Sequence, residues 1–321
     1  MVGLRTAWTI LAAGTFVVSF GQVPAAKAES PEVLAHKDKA KKIAGKEWAG
    51  EANFFCYAAR ANSATDPLLE PTRIFDNLYV TGRTGTAVYA LTTSEGIILI
   101  DSGYGNETET VLIAGMKKLG LDPAQVKYIV LGHGHSDHFG GAAYFQQHFG
   151  TRVALSAADW DLIAQPPPAG KAPDPTPAPK RDMTVAEGQS ITLGGTSVTV
   201  TMLPGHTPGA MGLFFPVKDG KKTYMAGLFG GSILLVDRIS DDGLKQFVAS
   251  VEKFKQKAKE MKVEVEIQNH PLYDGMPEKL AKLRARKAGD PHPFVVGQSS
   301  YGKFLDVMAE CVRAEMARRQ K

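Results

Sequence analysis

Three histidines and one aspartate lie within six residues of a short segment that follows an apolar run. They are His133, His135, Asp137 and His138, and the small residues Gly134 and Ser136 between them allow the backbone to turn tightly. Neutral imidazole and carboxylate are ligands that Zn²⁺ accepts in proteins. Because each buried histidine needs a hydrogen-bond partner, packing alone does not explain so dense a cluster. The spacing therefore predicts a metal site rather than a solvated polar loop.

Two further histidines stand directly after predicted strands. His206 lies in a segment with Gly and Pro on both sides, and His270 is followed by Pro271. Either histidine alone is more readily explained as a structural or surface residue, but beside the cluster both become candidate ligands. Six ligands exceed what one tetrahedral zinc takes. We therefore expect two Zn²⁺ per chain, each with three protein ligands and an open position of the kind that catalytic sites keep.

The elements that must position these residues follow from the hydrophobic pattern. Short β-branched or aromatic runs between turns predict strands, and longer amphipathic segments predict helices. The expected strands fall at 78–80, 88–91, 97–100, 128–131, 191–193, 198–202, 213–215, 224–226 and 263–267, and the expected helices at 30–46, 107–119, 140–149, 244–254 and around 304–312. Strands mixed with helices along the whole chain predict an α/β protein of layered sheets covered by helices.

The composition excludes several classes of protein. With 44% hydrophobic and 22% charged residues, the chain lies in the ordinary globular range and is not expected to be disordered. A formal net charge of +4 over 321 residues is too small to indicate a nucleic-acid-binding protein. We expect a monomer that acts on a small molecule and binds no nucleic acid.

The N-terminal segment has the pattern of a secretory signal peptide. A single positive charge at Arg5 precedes an uncharged, largely apolar run at 7–21, and Ala26 and Ala28 form an Ala-x-Ala exit. The alternative is a membrane anchor, but the run is shorter than the roughly 20 residues that span a bilayer. We expect cleavage after residue 28, one mature domain at 29–321 that is not attached to a membrane, and a periplasmic or secreted location.

The chain has only two cysteines, Cys56 and Cys311. In an exported protein the compartment is oxidising, so a disulfide between them would persist and would tie the two ends of the chain together. The alternative is two buried thiols that act as small hydrophobic side chains. We expect the disulfide.

A proline-rich segment interrupts the pattern of strands and helices at 166–179, where seven of fourteen residues are Pro. Such a composition predicts a stiff, extended loop rather than a helix or strand. Long loops of this kind are often lids or binding loops, and the alternative is a passive excursion over the surface. The sequence leaves both interpretations open.

In their order and spacing these motifs resemble the metallo-β-lactamase superfamily. The resemblance rests on Ile-Asp-Ser-Gly at 100–103, the cluster at 133–138, Gly-His-Thr-Pro-Gly at 205–209 and His270, and it extends over about 73–271. The segments around His270 and at 289–294 are most similar to the subclass B3 enzymes. The resemblance implies a four-layer αβ/βα sandwich, in which two mixed β-sheets are flanked by helices and a dinuclear zinc site lies between the sheets.

The resemblance also implies how the ligands are shared. The first zinc would be held by His133, His135 and His206, and the second by Asp137, His138 and His270. Asp101, at a strand end, would support ligands rather than bind metal itself.

The implied activity is hydrolysis of the β-lactam ring amide of antibiotics by a metal-bound hydroxide that Asp137 orients. One segment departs from the family pattern: residues 224–231 lack the bridging Asp of many superfamily hydrolases and the Asp-Ser expected in subclass B3. Ser232 is the candidate substrate-binding replacement. Two alternatives remain. The same site can serve a lactone, thioester or phosphoester, or the chain can be an exported zinc-binding protein without turnover.

Overall fold

The computed structural model describes residues 28–58, 66–166, 170, 172–236 and 238–320. Residues 1–27 of the predicted signal peptide and residues 167–169 and 171 of the proline-rich segment lie outside this part of the chain. The division into a leader at 1–28 and one domain at 29–321 stays a prediction. In the described part, no helix has both the length and the hydrophobicity needed to cross a membrane.

One sheet of the described chain has seven strands, which lie side by side in chain order. They are β1 (Thr72–Phe75), β2 (Leu78–Gly82), β3 (Ala87–Thr93), β4 (Gly96–Ile100), β5 (Val126–Val130), β6 (Arg152–Ser156) and β7 (Met183–Val185). The strands from β1 to β4 pair antiparallel, and those from β4 to β7 pair parallel. The sheet is therefore mixed.

The second sheet has five described strands in the order β12-β11-β10-β9-β8. They are β8 (Ser190–Leu193), β9 (Thr196–Met202), β10 (Met211–Asp219), β11 (Lys222–Phe229) and β12 (Val263–Glu266). The strands from β8 to β11 are antiparallel, whereas β12 pairs parallel to β11. This sheet is also mixed.

Helices cover the outer faces of both sheets. They are α1 (Pro31–Ala44), α2 (Ala49–Asn53), α3 (Ala114–Lys118), α4 (Ser136–Phe139), α5 (Ala142–Phe149), α6 (Ala157–Ile163), α7 (Asp241–Glu260), α8 (Met276–Ala285) and α9 (Gln298–Arg319). π-Helical turns follow α2 at Phe54–Ala58 and precede α3 at Thr108–Ile113.

Two hydrophobic clusters hold these layers together. The larger one contains side chains from both sheets, such as Ile98 and Leu213, together with Phe145 of α5. The smaller one packs α7 and α9 against the second sheet and includes Phe214 stacked on Phe254 at 4.7 Å between ring centroids. The order helix, sheet, sheet, helix confirms the predicted four-layer αβ/βα sandwich.

All the expected strands are present, as are the expected helices. The segment expected to be helical at 107–119 begins with 3₁₀ and π turns before α3. Sequence reasoning missed β1, β6 and β7, three short strands of three to five residues. It also missed the helices α2, α4, α6 and α8. Of these, α6 begins directly at the end of β6 and carries Asp159, a residue of the candidate site.

The predicted disulfide is confirmed. Cys56, in the π-helical turn after α2, is bonded to Cys311 of α9, with 4.8 Å between their Cα atoms. The bond joins positions that are 255 residues apart. It therefore fastens the N-terminal helical segment onto the C-terminal helix, against which α1 also packs.

Replacing both cysteines with serine is expected to lower the free energy of unfolding by about 2–5 kcal/mol, because a bond that closes so long a loop restricts the unfolded chain strongly. Thermal unfolding of the Cys56→Ser/Cys311→Ser protein, with and without reductant, checks this. Reductant should lower the Tm of the wild-type protein and leave that of the variant unchanged. Equal Tm values for the oxidised wild type and the variant would contradict the expectation.

Candidate metal centre

Every candidate ligand lies in the loop that follows a strand or on the short helix after such a loop. Strand β5 is followed by a tight loop and then by α4. A turn that contains Gly and Pro joins β9 to β10, and an irregular segment follows β12. The candidate ligands on these segments are His133, His135, Asp137, His138, His206 and His270. The two sheets thus bring side chains that are far apart in the sequence to one place.

Three imidazoles form the first group, which consists of His133, His135 and His206. Their facing nitrogens make a nearly equilateral triangle: His206 Nε2 lies 3.0 Å from His133 Nε2 and 3.0 Å from His135 Nδ1, and the last two atoms are also 3.0 Å apart. One ion can contact all three atoms.

The second group consists of Asp137, His138 and His270. His138 Nε2 lies 3.1 Å from His270 Nε2 and 3.3 Å from Asp137 Oδ2. Thr86 donates a hydrogen bond of 3.0 Å to the same carboxylate oxygen and fixes its direction. Nitrogens of His133, His138 and His270 also lie within 4.8 Å of one another, so the two groups are adjacent.

Hydrogen bonds to backbone carbonyl oxygens fix the tautomers of three of these histidines. The Nδ1–H groups of His133, His206 and His270 donate to the carbonyls of Gly230, Ile233 and Gly85, respectively. A carbonyl oxygen can only accept, so each Nδ1 carries the proton and each Nε2 presents a lone pair. The Nε2 lone pairs of His133 and His206 therefore face each other at 3.0 Å, an arrangement that a cation between them makes favourable.

The protonation states of four histidines suit metal binding, because a ligand must be neutral. Burial lowers the pKa of His135 and of His270 to about 4. Burial and the neighbouring imidazoles hold the pKa values of His133 and His206 well below the usual range. These four side chains are neutral at pH 7 and offer lone pairs to an ion.

The pKa of His138 is raised, in contrast to the pKa values of the other four histidines. Burial lowers its pKa, but the carboxylates of Asp137 and Asp101 outweigh this effect and raise the pKa to about 10 in the metal-free protein. The same two carboxylates that favour a proton on His138 favour a metal ion in its place.

Asp101 supports the site, as the sequence resemblance implies. Its buried carboxylate accepts hydrogen bonds from Gly132 N at 2.6 Å, from His138 Nδ1 at 2.7 Å and from Asn269 Nδ2 at 3.0 Å. Asp101 adopts a positive φ of 59°, which is uncommon outside glycine although aspartate tolerates it. The strained backbone aims the carboxylate at the ligand loop and at His138.

The described residues directly after β11, from Gly230 to Val236, include no acidic side chain. At Gly230 an added Cβ would lie 2.2 Å from the Met211 carbonyl oxygen, so the close approach of two backbones excludes any side chain there. Ser232, the candidate substrate contact, is buried and accepts a hydrogen bond from the Tyr273 hydroxyl. Its hydroxyl is thus engaged inside the protein, and a role in substrate binding stays a prediction.

Part of the proline-rich loop reaches the site. The Asp174 carboxylate is hydrogen-bonded to Ser136, the neighbour of Asp137, and this bond together with one from Thr176 lowers the pKa of Asp174. The described part of the loop therefore touches α4 beside a candidate ligand. A lid function stays a prediction.

Three residues that sequence reasoning missed complete the arrangement: Thr86, Asn269 and Asp159. Thr86 orients Asp137, and Asn269 bridges Asp101 and the Gly230 carbonyl. Asp159 accepts hydrogen bonds from two ligand loops. In the sequence, Asp159 follows Ser156 by three residues and so resembles an ordinary helix start, and no local signal sets it apart.

Comparison with known proteins identifies the family. The model of the metallo-β-lactamase superfamily matches residues 81–220. The structure is similar to that of BJP-1, a subclass B3 metallo-β-lactamase of Bradyrhizobium japonicum, with 32% sequence identity and a TM-score of 0.62 over 73% of this chain and 89% of that one. The β-lactamase from Chitinophaga pinensis is 25% identical, with a TM-score of 0.63 over 79% of this chain and 95% of that one. The chain belongs to the metallo-β-lactamase superfamily, a family of metal-binding proteins with a metallo-hydrolase fold.

Curated relatives add a second class of activity. The hydroxyacylglutathione hydrolase GloC of Haemophilus influenzae is 32% identical over 136 residues, which cover 40% of this chain and 60% of the relative. The hydroxyacylglutathione hydrolase of Acidiphilium cryptum is 33% identical over 91 residues, which cover 28% of this chain and 31% of the relative. The chain spans less than two thirds of the length of these curated relatives.

Replacement of His270 by alanine is expected to lower the zinc content by about one ion per chain, because only two donors of the second group remain. His148→Ala is the matched control: His148 lies on α5, stacks on Tyr144 and is exposed. Elemental analysis after zinc loading and gel filtration measures the stoichiometry. An unchanged zinc content in His270→Ala would remove His270 from the ligand set.

Proposed function

We propose that this protein is a zinc-dependent hydrolase of β-lactams that binds two Zn²⁺ per chain. The observation that carries the proposal is the pair of adjacent groups of converging donors, four of whose imidazoles are neutral at pH 7. Imidazole and carboxylate donors suit zinc. Each group has three protein donors, which leaves coordination positions for water and substrate.

When bound, zinc lowers the pKa of a water molecule towards 7 and polarises the carbonyl group under attack. The protein supplies the orientation. Thr86 holds one oxygen of Asp137, and the carboxylate is partly exposed, so it can accept a hydrogen bond from the attacking water and direct it. Asp101 and Asn269 keep His138 in place while this happens.

Two findings favour a β-lactam as the substrate. The likeness to the subclass B3 enzyme BJP-1 extends over 89% of that chain at 32% identity. In addition, residues 224–231 lack the bridging aspartate that the resemblance associates with thioester, lactone and phosphodiester hydrolases, although they also lack the Asp-Ser of subclass B3.

A thioester of glutathione is the second candidate. It is favoured by the sequence match to hydroxyacylglutathione hydrolases, among them GloC of Haemophilus influenzae. The same donor groups would serve this reaction, since both substrates present an acyl carbon to attack by water.

The location and the oligomeric state belong to the same proposal. We place the protein in the periplasm or outside the cell, and the Cys56–Cys311 disulfide supports this because such bonds persist in oxidising compartments. We propose a monomer that acts on a small molecule.

Purified, zinc-loaded protein is expected to open the ring of penicillins, cephalosporins or carbapenems. The loss of the ultraviolet absorbance of the β-lactam measures this reaction. EDTA should abolish the activity and added Zn²⁺ should restore it.

The Asp137→Asn variant is expected to lose about 10²-fold or more in kcat, since the carboxylate that orients the attacking water is gone. The His148→Ala variant should retain full activity.

S-lactoylglutathione, assayed in parallel, separates the two candidates. Turnover of the thioester with intact β-lactams would replace the first proposal by the second. Bound zinc with neither substrate turned over would favour the zinc-binding protein without turnover.

A further inference from the structure

Asp159 is a buried carboxylate at the start of α6, with no solvent exposure. Ser156 caps this helix and accepts a hydrogen bond of 3.2 Å from the backbone N–H of Asp159. The Asp159 side chain does not fold back onto its own helix. It points towards two loops that lie far apart in the sequence.

All three hydrogen bonds to the carboxylate come from the loops of the first histidine group. Asp159 Oδ2 accepts from Gly134 N and from Thr207 Oγ1, each at 2.7 Å, and Oδ1 accepts from Gly209 N at 2.8 Å. Gly134 lies between His133 and His135, whereas Thr207 directly follows His206. One carboxylate thus connects the loops that carry all three imidazoles of the group.

We propose that Asp159 is a positioning residue that sets the separation of the two ligand loops and thereby the metal affinity of the first group alone. This proposal rests on the metal binding proposed above. The second group has supports of its own, because His138 is held by Asp101 and Asp137 by Thr86. Asp101 also accepts a hydrogen bond from Gly132 N, directly before His133, but Asp159 is the carboxylate that connects this loop with the loop of His206.

The packing around the carboxylate shows that the connection is close. A Cβ added at Gly209 would lie 2.8 Å from Asp159 Oδ1 and 2.0 Å from Ser156 Oγ. A Cβ added at Gly134 would lie 3.0 Å from the Asp159 carbonyl oxygen. At Gly209 a side chain does not fit without a shift of its neighbours, and at Gly134 it would press against Asp159. Both loops therefore pack directly against Asp159.

Asparagine is the informative substitution at Asp159 because it keeps the volume and removes one acceptor. If the amide nitrogen replaces Oδ2, it faces the N–H of Gly134; if it replaces Oδ1, it faces the N–H of Gly209. In either orientation two donors oppose each other, and one ligand loop is released.

The test measures stepwise Zn²⁺ binding in competition with a chromophoric chelator, using the full-length mature protein. Asp159→Asn is expected to weaken one binding step by about 10–100-fold, the usual effect of removing a group that orients ligands. The other step should remain within about threefold of the wild-type value. In a His270→Ala background, where the first group is intact, Asp159→Asn should show the same weakening.

Two further variants separate positioning from general stability. Thr207→Val removes one of the three hydrogen bonds and should weaken the same step, and Thr207→Ser, which retains the hydroxyl, should restore it. The matched control is Asp161→Asn on the same helix, whose exposed carboxylate pairs with Arg181 and should affect neither step.

Several outcomes would overturn the proposal. Unchanged affinity of both steps in Asp159→Asn would show that the carboxylate does not set the first group. Equal weakening of both steps, together with a matching fall in the Tm of the metal-free protein, would assign Asp159 a structural role only. If the wild-type protein binds no zinc, the proposed function itself fails. If the wild type binds two ions and Asp159→Asn binds them equally well, only the proposed role of Asp159 fails.

Discussion

The site depends on imidazole lone pairs that converge within about 3 Å of one another. Such an arrangement is unfavourable by itself, because the lone pairs repel and the rings are buried away from water. The Nδ1–H bonds to the carbonyls of Gly230, Ile233 and Gly85 prevent three of the rings from relieving the repulsion by a change of tautomer. A cation bound between the rings removes the repulsion between the lone pairs. The arrangement of the donors is therefore suited to a metal ion.

The two sheets and the buried carboxylates hold the imidazoles in these positions. Two sheets pack face to face, and the loops that leave their strands meet at one edge. There, two backbone carbonyls of the segment that follows β11 orient His133 and His206. Buried carboxylates then connect the loops: Asp101 reaches His138 and the start of the ligand loop, and Asp159 reaches both loops of the first group. The disulfide fastens the two chain ends to each other at the helical face of the second sheet.

Local patterns were sufficient to predict the parts of the protein that depend on neighbouring residues. The cluster at 133–138 signals metal chemistry by its own spacing, and the strong alternation of apolar residues predicts most strands. The pairing of Cys56 with Cys311 was accessible because the chain has only two cysteines. The structure brings His133, His135 and His206 together and places His138 beside both His270 and Asp137, and the division of these ligands between two ions stays a prediction.

Other features could not be predicted from the sequence because they depend on contacts between distant segments. Asp159 lies 48 residues from Thr207 along the chain, and nothing in its neighbourhood distinguishes it from a helix-capping acid. Asn269 stands beside a candidate ligand, yet its contact with Asp101 arises only when the segments that follow β4 and β12, which belong to different sheets, come together. The hydrogen bond that Ser232 accepts from Tyr273 likewise joins residues that are 41 positions apart, and the role of Ser232 in substrate binding stays a prediction.

Crystals of the zinc-loaded protein, with diffraction recorded on both sides of the zinc absorption edge, test the central claim most directly. The account predicts two anomalous peaks per chain, one in contact with His133, His135 and His206, and the other in contact with Asp137, His138 and His270. A single peak, or peaks away from these side chains, would contradict it.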